Sequence, residues 1–172
     1  HHGSTDAPNV DVSAVFDNLT ISNLGYGEST PYVSLPPASY DFAIRATGSP
    51  DVVAMYRADL SAFAGAAARV FASGTLAGTP AFGLFAVLPN GGVVELPASP
   101  TARVQVLHNS PDPVVDVWAG NDRLADDFAF RTATPFVTLP ADRDFTVGIA
   151  PADSDAPSDA IATFDFNLAD GE

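Results

Sequence analysis

Two short segments of the chain repeat a histidine, a serine and an aspartate at two-residue spacing: His2, Ser4 and Asp6, and again His108, Ser110 and Asp112. These are the residue types of a hydrolase triad, which holds a nucleophile, a base and an orienting acid in line beside an oxyanion hole. Triads are usually assembled from distant segments, whereas here the three residues share one strand end and turn. We therefore predict a structural role, in which serine and aspartate hydrogen-bond turn amides and the imidazole holds the loop in place. Metal ligation and catalysis are the alternatives.

Each segment also carries an aspartate between two valines, Asp11 in the first and Asp116 in the second. Period-two alternation points these carboxylates away from the flanking valines. We expect each one either on the solvent face or paired with an arginine. Exposed ion pairs contribute only about 0 to 1 kcal/mol, so both aspartates are assigned to the structural motif and not to a catalytic site.

An acidic loop in the second half of the chain holds Asp153, Asp155 and Asp159. Calcium prefers hard oxygen ligands of this kind, so these three residues are the candidate metal site. The Asp-x-Asp-x-Asp-Gly spacing of an EF-hand is absent, which makes a solvated turn the alternative. A second acidic turn is a weaker candidate of the same kind: Asp122, Asp126 and Asp127. Apart from calcium, no cofactor and no catalytic residue is expected.

The single tryptophan, Trp118, follows the valine–aspartate–valine segment of the second half. An exposed indole in this place is suited to stacking on a sugar, whereas a buried one packs in a core or between domains. We expect the buried position.

These motifs belong to an internal repeat with a period of about 105 residues. Four matches follow one another in the same order: His2–Val12 with His108–Val117, Thr30–Pro36 with Thr134–Pro140, Tyr40–Ile44 with Phe145–Ile149, and Asp51–Tyr56 with Asp159–Phe164. Four matches in one order are hard to obtain by chance, so they indicate two repeats of one fold.

Composition and alternation together indicate an all-β protein. Fifteen prolines and thirteen glycines suit turns better than helices, and Gly65 interrupts the one helix candidate, residues 61–69. Alternation in Val10–Ala14 and Tyr40–Ile44 predicts strands with one buried face. Further strands are predicted over residues 32–35, 70–72, 81–88, 93–96 and 103–107. Short strands separated by turn residues favour β-sandwiches.

A short proline-containing linker, residues 97–100, divides the chain into a first repeat, 1–97, and a second repeat, 98–172. The first repeat lacks a counterpart of the strand that precedes His108, and the second lacks counterparts of the last strands of the first. Truncated or disordered ends are one explanation. Strands supplied by neighbouring chains are the other, because open sheet edges invite pairing. Val104, Val106 and Leu107 would then fill a neighbour's core.

The pattern His-x-Ser-x-Asp-(Ala/Pro)-x-Val-Asp-Val, followed by Tyr-x-x-Leu-Pro, resembles the domain of unknown function 4397 family over nearly the whole chain. The second copy has Pro113 and Val114 in place of Ala-Pro and is one residue shorter. The resemblance implies immunoglobulin-like β-sandwiches, often in tandem, in secreted or cell-surface proteins of bacteria and archaea. It implies no established catalytic activity. The expected fold is therefore two tandem immunoglobulin-like β-sandwiches.

The charge of the chain excludes one large class of function. It has 21 acidic residues against 7 arginines and a net charge of −14, which is the opposite of the basic face that nucleic-acid binding requires. The absence of cysteine removes disulfides and thiolate chemistry. No apolar run approaches the roughly 18 residues of a membrane helix. A strongly acidic, lysine-free surface fits a secreted protein or one from a salty habitat.

These observations predict a non-enzymatic extracellular structural protein, a cell-surface or appendage subunit that assembles by β-strand sharing between chains. Its partners are then copies of itself or other surface proteins. The alternative is a surface adhesion or glycan- or protein-binding module that uses the loops at one end of a sandwich.

Overall fold

The computed structural model describes every residue from His1 to Glu172, and nearly all of its regular structure is β-strand. Several antiparallel sheets that do not close into a barrel fit a β-sandwich, so the predicted all-β class is confirmed. The one helical element is a three-residue 3-10 turn, Pro157–Asp159. Residues 61–69 form turns because Gly65, at φ 73°, leaves the helical region. No helix of the length and hydropathy needed to cross a bilayer is present.

Two compact units divide the chain between them. Unit 1 consists of His1–Ala14 and Leu19–Ser99, and unit 2 consists of Val15–Asn18 and Pro100–Glu172. Within unit 2 the ring of Phe16 stacks on that of Phe145, with 4.8 Å between centroids. This contact explains why residues 15–18 group with unit 2.

Unit 1 contains seven strands in two sheets. In chain order they are β1 Val10–Ala14, β2 Leu19–Leu24, β3 Ser39–Ala46, β4 Val52–Asp59, β5 Arg69–Ser73, β6 Gly83–Val87 and β7 Val93–Glu95. The first four form an antiparallel sheet in the order β2-β1-β3-β4, and the last three form a sheet in the order β5-β6-β7.

Unit 2 contains eight strands. In chain order they are β8 Thr101–Val104, β9 Leu107–His108, β10 Val115–Ala119, β11 Asp122–Phe128, β12 Thr132–Ala133, β13 Val137–Pro140, β14 Asp144–Pro151 and β15 Ala162–Asn167. A four-stranded sheet has the order β11-β10-β14-β15, and two short ribbons pair β13 with β8 and β12 with β9.

The core of unit 2 forms around Val115, Val117 and Phe128, with Val106 and Val147 packed against them. Alternation along each strand brings these apolar side chains to one face. Val106 belongs to the segment that was expected to fill a neighbour's core, and β8 of that segment pairs with β13. For Val104 and Val106 that expectation is wrong, because both are used within unit 2, whereas Leu107 is 69% exposed.

The two four-stranded sheets share one register, as the internal repeat predicts. Tyr40 faces Ala58 across β3 and β4, and Phe145 faces Phe166 across β14 and β15. The strands β4 and β15 are therefore matching edge strands of their sheets.

The repeats differ at the segment that follows the second strand. The strand predicted over residues 32–35 is absent, and Tyr32 and Val33 are 73% and 47% exposed. The equivalent residues of unit 2 form β13, in which Val137 pairs with Val104 of β8. Residues 32–35 have no strand beside them in the place of β8, so local alternation alone does not make them a strand.

Candidate functional site

The first copy of the histidine motif is buried in unit 1. His2 is 2% exposed, and its Nε2 lies 3.0 Å from the carbonyl oxygen of Pro8. The backbone of His2 is held as well, since its N–H donates to Glu28 at 3.0 Å and its carbonyl accepts from Gly27 at 2.8 Å. His2 thus joins the segment before β1 to the loop after β2.

The aspartate of this motif holds a distant loop. Ser4, which is fully buried, donates its hydroxyl to Oδ1 of Asp6 at 3.3 Å. The same carboxylate accepts the backbone N–H of Leu76 at 2.9 Å and of Ala77 at 3.2 Å. The amide of Leu76 is the main cause that lowers the pKa of Asp6, with smaller contributions from Ala77 and Ser4 and some opposition from desolvation. Besides Ser4 in its own turn, Asp6 therefore has two partners in a loop 70 residues later.

The three residues of the motif do not form a catalytic relay. The Ser4 hydroxyl donates to the Asp6 carboxylate and the His2 imidazole contacts Pro8, so the imidazole is not hydrogen-bonded to the hydroxyl as a triad requires. The Nδ1 of His2, like that of His108, is buried without a hydrogen-bond partner. The hydrogen bond to Pro8 and packing therefore orient the His2 ring, and packing orients the His108 ring.

The second copy of the motif, in unit 2, is more open. The ring of His108 packs edge-on against Phe128, with 5.6 Å between centroids. Ser110 donates its hydroxyl to the backbone carbonyl of Asp112 at 2.9 Å, and both residues are exposed. No loop equivalent to residues 74–82 covers Asp112, so its carboxylate anchors no amides.

Asp11 connects three parts of the first four-stranded sheet. Its Oδ1 accepts the N–H of Asn23 at 2.7 Å and the hydroxyl of Thr47 at 3.1 Å, and its Oδ2 accepts the N–H of Gly48 at 3.2 Å. The hydrogen bond from Asn23 is the largest of the effects that lower the pKa of Asp11. Asp11 therefore fastens β2 to the turn between β3 and β4.

Asp116, the matching residue of unit 2, is fully buried. Its carboxylate accepts the hydroxyl of Ser154 at 2.6 Å, the N–H of Asp127 at 2.9 Å and a guanidinium hydrogen of Arg123 at 3.4 Å. Burial raises the pKa of Asp116, but the Ser154 and Asp127 hydrogen bonds and the Arg123 charge outweigh it and leave the pKa below its ordinary value. The predicted arginine partner is present. The solvent-face alternative is wrong, because Ser154 covers the carboxylate.

Trp118 belongs to the same buried network. The indole is 6% exposed, and its Nε1 donates to the hydroxyl of Ser154 at 3.0 Å. The guanidinium of Arg123 lies 5.0 Å from the ring centre. The side chain is therefore a core residue, as expected, and presents no face on which a sugar stacks.

One of the three carboxylates of the candidate calcium loop accepts hydrogen bonds from the backbone of the loop itself. Oδ2 of Asp159 accepts the N–H groups of Asp155 and Ala156, both at 3.1 Å, whereas the side chains of Asp153 and Asp155 are exposed. No group of three or more histidine, aspartate or glutamate side chains is arranged to hold a metal ion. Calcium binding at this loop stays a prediction, because its carboxylates are not arranged as a set of calcium ligands.

The second acidic turn is likewise engaged in contacts of its own. Asp122 accepts the N–H of Phe16 at 2.8 Å, and Asp126 forms an ion pair with Arg123. The contribution of Asp127 is its backbone N–H, which Asp116 accepts. The contacts of these three residues therefore stabilise the β10–β11 hairpin and its contact with Phe16.

The most exposed strand of unit 2 is β15, at the edge of its sheet. All six of its residues are exposed. Phe164 and Phe166 are 54% and 46% exposed, although they face Val147 and Phe145 on the core side of the sheet. We call the open backbone of β15 together with these two rings the β15 edge. The Phe-Asp-Phe alternation of residues 164–166 was the unused sequence signal for this apolar face.

The matching strand of unit 1 is covered. The N–H of Arg57 donates to Pro97 and the N–H of Ser99 donates to Met55, both at 2.9 Å, so residues 97–99 pair with the outer side of β4. Phe82 covers the ring of Tyr56, which holds the place of Phe164, with 6.1 Å between centroids.

A buried carboxylate fastens this covering segment. Asp41 of β3, fully buried, accepts Nε of Arg57 at 2.8 Å and the hydroxyl of Ser99 at 2.7 Å. Unit 2 has Thr146 and Asp165 in the places of Asp41 and Arg57. The β15 edge therefore has no equivalent of this buried anchor.

The family model that matches the chain is described as Domain of unknown function (DUF4397) and covers residues 1–90 and 102–172. The resemblance indicated by the sequence motifs is thereby confirmed over both repeats. Neither the curated proteins nor the solved structures contain a match to the chain.

Proposed function

Because the chain belongs to the domain of unknown function 4397 family, and because one of its matched edge strands is left open, we propose that it is a non-enzymatic extracellular structural protein. It acts as a cell-surface or appendage subunit, and its chains assemble by β-strand pairing. The observation that supports this proposal is the β15 edge, a strand at the edge of its sheet with six exposed residues and two exposed aromatic rings among residues 1–172.

An open, apolar edge strand is unusual in a protein that works alone. Natural proteins protect their edges with lysine, proline, bulges or a covering loop, since unpaired N–H and C=O groups template pairing with other chains. β15 has no proline and no lysine, and its one charge is Asp165. The strand is six residues long, which is a usual length for a paired strand. These features support pairing with another chain as its role.

The non-enzymatic part of the proposal is supported by the histidine motif. Its serine and histidine do not contact each other in unit 1, and its serine and aspartate are exposed in unit 2. The fixed hydrogen bonds of Ser4 and Asp6 serve the loop around Leu76. A structural task therefore accounts for every contact of the motif.

The extracellular location rests on the family resemblance and on the acidic, lysine-free composition. The partners are copies of the chain or other surface proteins, because a net charge of −14 disfavours nucleic acid. The adhesion alternative is less well supported, since the aromatic platform it needed at Trp118 is buried.

Sedimentation of the purified chain at low and high concentration, with and without calcium, tests the proposal. We expect species larger than the 17.7 kDa single chain to grow with concentration. Dependence of these species on calcium would assign a role to Asp153, Asp155 and Asp159, whereas independence would remove calcium from assembly. A monodisperse monomer under all conditions would rule out assembly by strand pairing.

A further inference from the structure

The two units carry very different charges. Unit 2 has 14 acidic side chains against four arginines, a net charge of −10, whereas unit 1 has seven acidic side chains against three arginines, a net charge of −4. A net charge far from zero destabilises a compact state, because its like charges repel one another. The repulsion within the folded chain is therefore concentrated in unit 2.

The arginines of unit 2 lie over aromatic rings. Each guanidinium is between 4.7 and 5.4 Å from a ring centre: Arg103 over Phe136, Arg123 over Trp118, Arg131 over Phe130 and Arg143 over Phe16. Such contacts combine stacking with the attraction of a cation to the face of the ring. Arg123 also forms ion pairs, with Asp116 and Asp126. Every arginine of unit 2 thus has a short-range contact with a ring.

Most carboxylates of unit 2 face water without a cation beside them. Nine exposed aspartates of this unit form no ion pair: Asp112, Asp127, Asp142, Asp144, Asp153, Asp155, Asp159, Asp165 and Asp170. Folding itself brings some of these charges together. Asp144 faces Asn167 and Thr146 faces Asp165 across β14 and β15, so Asp144 and Asp165 are diagonal neighbours on one face of the sheet, about 7–8 Å apart.

Salt acts differently on these two kinds of interaction. The Debye length falls from about 30 Å at 0.01 M ionic strength to about 3 Å at 1 M, so salt screens the repulsion between exposed aspartates at this spacing. Partly buried groups in direct contact are screened much less. We propose that unit 2 is an ionic-strength-sensitive fold, in which rising salt removes the repulsion among its surface aspartates and leaves the arginine–ring contacts in place.

The sign of this response distinguishes it from that of a surface held together by ion pairs. Salt weakens the attraction between exposed opposite charges, so a surface of that kind loses stability as salt is added. Unit 2 is expected to gain stability instead, because its exposed charges are mostly of one sign. The inference goes beyond the proposed function and does not depend on it, since it concerns the single chain.

Urea unfolding at increasing salt tests the inference, because urea is uncharged and adds no ionic strength. Trp118, the single tryptophan, lies in unit 2 and reports its unfolding by fluorescence. The urea midpoint is expected to rise by about 0.5 M or more between low salt and 1 M NaCl. KCl is expected to act as NaCl does, since screening depends on ionic strength. A midpoint that is constant or falls would overturn the inference.

Charge variants separate screening from a general effect of salt on protein stability. Asp144→Asn removes one charge of the diagonal pair and keeps an oxygen to accept the hydrogen bond from Asn167. Its midpoint at low salt is expected to be higher by roughly 0.1–0.3 M urea, and its rise with salt smaller. Ser158→Asn, at an exposed position of the 3-10 turn in the same unit, introduces the same residue without a change of charge and is the control.

Ser158→Asp tests the opposite change. It differs from Ser158→Asn in charge alone, so it is expected to have the lower midpoint at low salt and the same midpoint at 1 M NaCl. Convergence of this pair at high salt supports screening. If all variants rise with salt by the same amount, the salt acts through its exclusion from the protein surface and not through the aspartates, and the inference is wrong.

Discussion

The two copies of the histidine motif have the same residue types and different surroundings. In unit 1, His2 and Ser4 are buried and Asp6 holds the amides of a loop between β5 and β6. In unit 2, Ser110 and Asp112 are exposed and make only a local contact. The sheet β5-β6-β7 accompanies the first copy, and no such sheet accompanies the second. The motif therefore becomes an anchor only where another segment lies over it.

For the aspartates between the valines the order of burial is reversed, because the one in unit 2 is the more buried. Asp116 is fully buried under Ser154, whereas Asp11 lies at the surface and accepts hydrogen bonds from neighbouring turns. Each carboxylate has three partners, but only that of Asp116 includes a positively charged side chain. We therefore expect the depth of burial, and not the motif, to decide how much each carboxylate contributes to stability.

The largest expected effect of a single substitution is at Asp116. Asp116→Ala leaves the hydroxyl of Ser154 and the N–H of Asp127 without their acceptor, whereas Arg123 keeps its contact with Asp126. Each buried donor left without a partner costs about 1–3 kcal/mol. Because Trp118 is the only tryptophan and touches Ser154, its fluorescence during urea unfolding reports this loss in unit 2.

Asp11→Ala is the matched control for that substitution. Water replaces the lost hydrogen bonds at the surface, so the free energy of unfolding is expected to fall by less than for Asp116→Ala. Circular dichroism follows both variants over the whole chain. Equal losses at the two positions would contradict the role given to burial.

A smaller effect is expected at the histidines. His2→Ala empties a site that is 2% exposed and leaves the carbonyl of Pro8 without its partner, which costs about 2 kcal/mol. His108→Ala removes an edge-on contact with Phe128 from a half-buried position and is expected to cost less. Thermal unfolding of both variants measures the difference, and a greater loss at His108 would reverse the comparison.

The effect at the motif aspartates is expected to be local. Asp6→Asn loses the charged acceptor of the Leu76 and Ala77 amides, so hydrogen exchange at these two amides is expected to accelerate while the strands keep their protection. Asp112→Asn is the matched control, because the carboxylate of Asp112 is exposed and holds no amide. Unchanged hydrogen exchange at Leu76 in the Asp6→Asn variant would show that Asp6 does not hold this loop in place.

The local alternation of apolar and polar residues predicts many of the strands, but it does not predict which distant segments pair with them or pack over them. Val10–Ala14 and Tyr40–Ile44 alternate and lie in β1 and β3, as predicted. Residues 32–35 are also mostly apolar and were predicted as a strand, but they form none, because a strand also needs a neighbour to pair with. Pairing is a property of distant segments, which a local pattern does not contain.

The same limit applies to the candidate sites. The sequence identified Asp6 and Asp116 as motif residues, but their partners lie 70 and 38 residues away at Leu76 and Ser154. No spacing in the chain connects these positions. The exposure of Phe164 likewise depends on a distant residue, because the matching ring of Tyr56 is covered by Phe82.

The smallest expected effect is a pH dependence of the stabilisation by the anchored aspartate, Asp6. The amide hydrogen bonds lower the pKa of Asp6 in the folded chain below its ordinary value of 3.8. The unfolded chain therefore binds this proton first as the pH falls, and the contribution of Asp6 is present above pH 3.8 and lost as the pH falls through the folded pKa. The difference in melting temperature between the unchanged chain and Asp6→Asn should therefore shrink in acid. A difference that stays constant from neutral pH to acid would mean that the charge of Asp6 does not stabilise the loop, and that Ser4 and the packing of the loop hold it without the carboxylate.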